Sequence, residues 1–139
     1  LHQNSNVSVE TDLCEDLPGV EASSDRLLQV FLNLFLNAKQ ALEDCPDARV
    51  VAESRLDGEM VEVAVRDNGP GIEPMHRDRI FDPFYTTKEV GASEGMGLGL
   101  SISYGLVQSF GGAIRGRNHE DGGAEFTVEL DRARASEAA

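Results

Sequence analysis

The stretch ARVVAESRLDGEMVEVAVRDNGPGI, residues 48–72, determines how this chain folds. Two runs, ARVVAESRL (48–56) and EMVEVAVRD (59–67), alternate apolar and polar residues, and Asp57-Gly58 lies between them. Alternation with a period of two is typical of half-buried strands, and Asp-Gly between such runs favours a tight hairpin turn. The second run ends in Asp67, and the loop NGPGI follows. The stretch therefore predicts two antiparallel strands and a loop that begins at a carboxylate.

The segments before this hairpin predict a strand and a helix. VSVETDL (7–13) alternates in the same way and predicts a half-buried strand. RLLQVFLNLFLNAKQALE (26–43) is apolar almost all round and predicts a buried helix. Ser23, Ser24 or Asp25 can cap the first turn of this helix.

The segments after the hairpin predict a second helix and a second hairpin. MGLGLSISYGLVQSFGG (96–112) reads as a helix that ends at Gly111 or Gly112. AIRGRN (113–118) and GAEFTVELD (123–131) form the hairpin, and a short helical turn is expected at residues 75–80. The order of elements predicts an α+β fold with helices on one face of a mostly antiparallel sheet.

Length and charge limit the class of protein. The chain has 139 residues, 12 basic and 25 acidic side chains, and a net charge of −13. This length suits one domain, and this charge argues against a nucleic-acid partner, whose phosphates need clustered lysine and arginine. Two cysteines, Cys14 and Cys45, are too few for a disulfide framework and are expected to be reduced. No apolar run reaches the roughly 18 residues of a membrane span. The polar start predicts no signal peptide, and a first residue other than Met is consistent with a fragment.

A stripe of amides runs along the first predicted helix. Gln29, Asn33 and Asn37 are four residues apart and share one face, which Gln40 continues. Their neighbours are apolar, and an unpaired buried amide costs about 1–3 kcal/mol, so these side chains need partners. Two interpretations stay open. The amides bond to nearby backbone or face water, or an asparagine oxygen ligates a hard cation such as Mg²⁺ beside a nucleotide.

Asp67 also has two interpretations. Asp-Asn-Gly is good turn chemistry, so the acid can simply begin a turn. Alternatively, its carboxylate accepts a hydrogen bond from an exocyclic amine such as that of adenine, while Gly69 and Gly71 let the backbone approach a flat ring.

Two more segments lie ahead of the second helix. FDPFYTTK (81–88) predicts either a small apolar cluster under a loop or a hinge for a mobile lid, from which Lys88 could reach phosphate. Gly95, Gly97 and Gly99 lie at the predicted start of the second helix. Backbone N–H groups at the start of a helix can bind phosphate, and glycines permit close approach. Their spacing matches neither the Walker nor the Rossmann pattern.

The order and spacing of these segments resemble a known family. QVFLNLFLNAKQAL, DNGPGI, FDPFYTTK and GMGLGLSIS are similar to the N, G1, F and G2 boxes of the catalytic and ATP-binding domain of sensor histidine kinases. The resemblance covers residues 7–130. The run GLSISYGLVQSFGG, followed by GGAEFTVEL, is most similar to the dicarboxylate-sensor and nitrogen-regulator branches. It implies a two-layer α/β sandwich, the Bergerat fold, whose mixed, mostly antiparallel sheet is covered on one face by about three helices.

The resemblance also implies roles for individual residues. Asn37 would coordinate the Mg²⁺ that bridges the triphosphate, with Asn33 in support, and Asp67 would bind the adenine amine. Asn37 and Lys88 are the expected catalytic residues, and residues 85–95 the expected lid. The residues expected around ATP are Asn33, Asn37, Asp67, Gly69, Gly71, Ile72, Phe81, Phe84, Thr87, Lys88, Gly95, Gly97, Leu98, Gly99 and Leu100.

The sequence departs from the family pattern at three places. Gln40 stands where many members carry a basic residue, so Lys88 is the better candidate for phosphate contact. Ala124 replaces the usual threonine, which predicts one polar contact fewer near adenine. The usual Leu-Pro ending appears as Leu130-Asp131, and residues 131–139 are expected to be a flexible tail.

The expected function is that of a protein-histidine kinase in a two-component system. Residues 1–130 would bind Mg-ATP and donate the γ-phosphate to a histidine on a separate dimerisation domain. A response regulator would then receive the phosphate from that histidine. His119-Glu120 matches an acceptor dipeptide but lies in a predicted solvated turn, so the acceptor is expected upstream. Alternatives are a chaperone- or topoisomerase-type ATP hydrolase, which places a Glu where Asn33 stands, a nucleotide-dependent binding module, and a serine kinase. The domain is expected to be cytoplasmic, without direct membrane contact.

Overall fold

The computed structural model describes residues 7–15, 19–20, 22–72, 96–120 and 122–132, with backbone only for 96–99. Five strands and two helices occur in this part of the chain. In chain order they are β1 (Ser8–Asp12), α1 (Ser24–Ala41), β2 (Arg49–Asp57), β3 (Met60–Asp67), α2 (Met96–Ser109), β4 (Ala113–Asn118) and β5 (Ala124–Asp131).

The strands form one sheet in the order β1-β2-β3-β5-β4. β1 runs parallel to β2, and the other three pairs are antiparallel. The mixed, mostly antiparallel sheet and both long helices confirm the predicted fold. Residues 75–80 and 133–139, where the sequence predicts a helical turn and most of a tail, lie outside the described residues.

Both hairpins form, and the first turn is displaced by one residue from its predicted place. Asp57 pairs with Met60, so Gly58 and Glu59 are the two central residues. Gly58 has a φ of 65°. A type II′ turn needs glycine at this first central position, whereas an Asp-Gly type I′ turn would need positive φ at both.

Local signals mark the start of helix α1 and the end of helix α2. Ser23 caps the helix, because its Oγ accepts a hydrogen bond from the backbone N–H of Arg26 over 3.4 Å. Helix α2 ends in a Schellman motif: the N–H of Gly112 donates to the carbonyl of Val107, and Gly111 has a φ of 77°.

The core lies between the two helices and one face of the sheet. Its buried residues on α1 are Val30, Leu34 and Ala38. The prediction that this helix is buried all round is wrong, because Leu28, Leu32 and Leu36 are 68%, 54% and 49% exposed. These three leucines repeat every four residues and lie on the side of α1 opposite the sheet.

β1 also differs from its prediction. All five residues of the strand are exposed, so it is not half-buried, and Val7 just before it packs against the core instead. No helix among the described residues is long and apolar enough to cross a membrane.

Candidate functional site

The carboxylate of Asp67 lies at the end of β3 and is only 4% exposed. Its Oδ1 accepts a hydrogen bond from the N–H of Gly69 over 2.9 Å and one from the N–H of Ala124 over 3.3 Å. The bond to Gly69 is the turn contact that Asp-Asn-Gly predicts. The bond to Ala124 comes from the neighbouring strand β5, so the acid is fixed by the sheet as well as by its own turn.

Only one oxygen of Asp67 is occupied in this way. No residue in the described part of the chain donates a hydrogen bond to Oδ2. Burial raises the pKa of Asp67, and the two backbone hydrogen bonds oppose this rise without cancelling it. A buried carboxylate whose second oxygen accepts from none of the described residues is suited to accept a hydrogen bond from an amine.

The loop after Asp67 is packed closely at its glycines. A Cβ on Gly69 would lie 3.0 Å from the carbonyl oxygen of Ala41, at the last residue of α1. Gly71 has a φ of 86°, which favours glycine. Ile72 is partly buried and packs against the core. The loop therefore packs against the end of α1 at Gly69.

The amide stripe of α1 runs toward the end of the helix that this loop contacts. Asn37 is half-buried and stands one turn before Ala41, the residue that Gly69 approaches. Asn33 is half-buried as well, and its Nδ2 donates to Oγ of the buried Ser103 on α2 over 3.4 Å. Asn33 therefore joins α1 to α2, and Asn37 lies one turn further along α1 toward Ala41. Gln29, two turns before Asn37, is exposed.

The start of α2 carries two of the glycines that the sequence predicts to bind phosphate. The helix begins at Met96, so Gly97 and Gly99 lie in its first turn, and no acidic or basic side chain accompanies them there. The first four N–H groups of a helix lack partners within it and attract anions. Leu100 is buried in the core, while the backbone of Leu98 lies in the same first turn.

Five of the predicted site residues cannot be placed. Phe81, Phe84, Thr87, Lys88 and Gly95 lie outside the described residues. Among the described residues, Gly69 lies between the Asp67 carboxylate and the end of α1, and Asn33 contacts α2 through Ser103. The roles expected for Asn33, Asn37 and the lid stay predictions.

Two asparagines near the site were not predicted from the sequence. The side chain of Asn118, at the end of β4, bonds to both backbone groups of Ile72. The side chain of Asn68 does the same across two residues: its Oδ1 accepts from the N–H of Arg49 over 2.7 Å, and its Nδ2 donates to the carbonyl of Asp47 over 2.9 Å. The only local signal for these contacts is the position of each asparagine next to a predicted turn.

The face of the sheet away from the core carries paired charges. Arg117 contacts Glu125 and Arg55 contacts Glu62, at 2.8 Å and 2.6 Å. His119 lies in the predicted turn but is not fully solvated, because its Nε2 is 2.7 Å from a guanidinium nitrogen of Arg66. A cavity of about 600 Å³ on this face is lined by these residues and lies apart from Asn37 and Leu100.

The family comparison agrees with this geometry. The model for histidine kinase-, DNA gyrase B-, and HSP90-like ATPases matches residues 22–134. The chain belongs to that family of ATPases, which confirms the resemblance seen in its four boxes. Among its relatives, the chain is similar to sensor histidine kinases in particular.

Three relatives illustrate this similarity. The two-component sensor PprA of Pseudomonas aeruginosa is 44% identical over 86% of this chain and 13% of its own length. The sensor histidine kinase ZraS of Escherichia coli is 40% identical over 84% of this chain and 24% of its own. The C4-dicarboxylate transport sensor DctB of Rhizobium meliloti is 38% identical over 85% and 19%, which agrees with the expected dicarboxylate-sensor likeness. The chain spans about a quarter or less of each of these proteins.

Solved structures give the same result. The catalytic domain of histidine kinase ThkA superposes with a TM-score of 0.76 at 32% identity, over 92% of this chain and 80% of that one. Full-length ShkA in complex with AMPPNP gives a TM-score of 0.73 at 32% identity, over 94% of this chain and 27% of that one. The Bergerat-type sandwich is therefore confirmed as the fold.

Proposed function

We propose that this chain binds Mg-ATP between α1, α2 and the loop after β3, and donates the γ-phosphate to a histidine on a separate helical domain. The observation that carries the proposal is the Asp67 carboxylate. It is buried, its Oδ1 is held by two backbone N–H groups, and its Oδ2, to which no described residue donates, can accept the amine of adenine. ShkA, whose catalytic part is similar to this chain, is described in complex with the ATP analogue AMPPNP.

The described residues fit a magnesium nucleotide. Asn37 offers an uncharged amide oxygen, a ligand type that Mg²⁺ accepts, on the half-buried face next to the loop. No group of three His, Cys, Asp or Glu side chains that could hold a metal occurs among the described residues. The nucleotide and water would therefore supply most ligands, which is typical of Mg²⁺ at phosphates. When bound, the ion would neutralise charge on the phosphates.

The backbone at the start of α2 would take the other side of the phosphates. Its first-turn N–H groups and the positive end of the helix dipole attract anions, and the glycines at 97 and 99 allow close approach. The chain has a net charge of −13, but salt screens the repulsion between distant charges and the phosphates beyond about 8 Å. The helix dipole and the metal would act on the phosphates over a few ångström, so they can outweigh the overall charge.

The site favours transfer to a partner over hydrolysis. Asn33 stands one turn before Asn37, donates to Ser103, and cannot act as a general base for water at neutral pH. The domain would mainly position and neutralise the phosphates, and the partner would supply the nucleophile. The proposed partners are a dimerisation domain that carries the histidine and a response regulator, and the proposed location is the cytoplasm. ThkA, similar in fold, is described in complex with the response regulator TrrA.

The test is a phosphotransfer assay with the histidine-bearing helical domain of the full-length protein supplied in trans. With radiolabelled ATP and Mg²⁺, we expect acid-labile, base-stable phosphate on that domain only when both proteins are present. Steady release of phosphate by the chain alone would favour an ATP hydrolase instead. ATP binding without any phosphohistidine would favour a nucleotide-dependent binding module.

A further inference from the structure

Asn118 makes an unusual pair of hydrogen bonds from the end of β4. The backbone N–H of Ile72 donates to its Oδ1 over 2.6 Å, and its Nδ2 donates to the carbonyl of Ile72 over 2.8 Å. An amide that bonds to both backbone groups of one residue reproduces the pairing of a neighbouring antiparallel strand. The side chain of Asn118 therefore extends the edge of β4 to a residue that belongs to no strand.

The glycine before Ile72 fits this contact. A Cβ on Gly71 would lie 2.8 Å from Oδ1 of Asn118, and the φ of 86° at Gly71 disfavours other residues independently. Gly71 and Asn118 are thus complementary, because any larger side chain at 71 would displace the amide from Ile72.

These contacts belong to a continuous set of hydrogen bonds and chain segments that surrounds the Asp67 carboxylate. Asn118 is paired with Ala124 in the β4–β5 register, and the N–H of Ala124 donates to Oδ1 of Asp67. Oδ1 also accepts from Gly69, and the chain then runs through Gly71 to Ile72 and back to Asn118. The acid and the loop beside it are therefore both hydrogen-bonded to the same end of the β4–β5 hairpin.

We propose that Asn118 is a positioning residue for the nucleotide base. It sets the distance between Oδ2 of Asp67 and the backbone of residues 69–72, and so determines how well the site selects adenine over guanine. Asn118 does not contact the base in this proposal and acts through Ile72 and Gly71. The inference rests on the adenine site in the proposed function.

The test is calorimetric titration of the 139-residue chain and of N118A with ATP, GTP and inorganic tripolyphosphate, each with Mg²⁺. Loss of two hydrogen bonds that hold the loop is expected to weaken ATP binding about tenfold. GTP and tripolyphosphate binding are expected to change by less than about twofold, since these ligands do not use the adenine contact. N118D can still accept from Ile72 but cannot donate to it, so its ATP affinity should lie between those of N118A and the unmodified chain.

Asn68→Ala is the matched control. Like Asn118, Asn68 is an exposed asparagine that makes two hydrogen bonds to backbone, but its partners are Asp47 and Arg49 rather than the glycine loop. N68A should lose similar thermal stability and keep the preference for ATP over GTP.

The outcomes separate this inference from the proposed function. If the unmodified chain binds no ATP, the proposed function fails and this inference with it. If the unmodified chain selects ATP and both N118A and N118D select it equally well, only this inference fails. Equal losses for all three ligands in N118D, or the same loss of selectivity in N68A, would show a merely structural role and would also overturn it.

Discussion

The backbone N–H of Ala124 donates a hydrogen bond to Oδ1 of Asp67 over 3.3 Å, and so joins two residues that are 57 positions apart. Asp67 ends β3 and Ala124 begins β5, its neighbour in the sheet. The alanine lacks the hydroxyl that a threonine would offer here, but its main chain still orients the acid. The direction of the carboxylate is therefore set in part by the neighbouring strand of the sheet.

Asp67→Asn is expected to separate ligand binding from stability. The amide oxygen of the variant can keep both backbone hydrogen bonds, but its NH₂ group would then face the amine of adenine, donor against donor. ATP affinity should fall about tenfold or more, while binding of tripolyphosphate with Mg²⁺ should be unchanged. Calorimetry with both ligands measures this. Equal losses for the two ligands would contradict the adenine role.

The stability of the same variant should depend on pH in a defined direction. Burial raises the pKa of Asp67, so the folded state binds a proton more tightly than the unfolded state does. The ionised form of Asp67 therefore costs stability, and this cost disappears as pH falls through the raised pKa. D67N should be at least as stable as the unmodified chain at pH 7, and the advantage should shrink by pH 4. Urea unfolding at both pH values checks this. A less stable variant at pH 7 would show that the charge stabilises the fold.

Asn37→Ala tests the metal ligand. Since Asn37 is the proposed protein ligand, the variant should bind ATP no better with Mg²⁺ than with a chelator, whereas the unmodified chain should gain affinity from the metal. Gln29→Ala is the control, because Gln29 belongs to the same stripe of amides but is exposed and two turns away. Calorimetry with and without Mg²⁺ should give Q29A the full response to the metal. A full response in N37A would disprove the assignment.

The parts of the fold that were predictable are those with local causes. The cap at Ser23, the glycine in the β2–β3 turn and the glycines after α2 act within four or five residues, so a sequence displays them directly. The same is true of the acid at the end of β3, since its turn to Gly69 is a contact between near neighbours. The mostly antiparallel sheet then followed from alternation and from the order of elements.

The parts that were missed depend on distant neighbours. The apolar pattern of α1 predicts a buried helix. It does not show that Leu28, Leu32 and Leu36 lie on the side of the helix away from the sheet. β1 alternates like a half-buried strand, yet it is fully exposed at the edge of the sheet. The contact of Asn118 with Ile72 spans 46 positions, and a sequence gives no sign of it beyond an asparagine before a turn.

The two sides of α1 should respond differently to shortening a leucine. Leu34 is fully buried in the core, so Leu34→Ala should cost about 2–5 kcal/mol in the free energy of unfolding. Leu32 is 54% exposed, so Leu32→Ala should cost less than about 1 kcal/mol. Urea unfolding followed by circular dichroism compares the two variants directly. Equal costs would show that Leu32 is covered in solution and that the outer face of α1 is part of an interface.

Gly123 gives the sharpest test of the link between β5 and the acid. Its φ is 89°, and a Cβ there would overlap the carbonyl oxygen of Asp67, so Gly123→Ala must push the start of β5 away from β3. Gly122 has a φ of 101°, but no atom of the described residues lies within 4 Å of its Cβ position, so Gly122→Ala should carry only the conformational cost of about 1–2 kcal/mol. G123A should lose more stability than G122A, and it should also lose ATP affinity, because the N–H of Ala124 moves away from Asp67. Thermal unfolding and ATP titration of the two variants measure both effects. If G123A and G122A bind ATP equally well, the position of β5 does not control the acid.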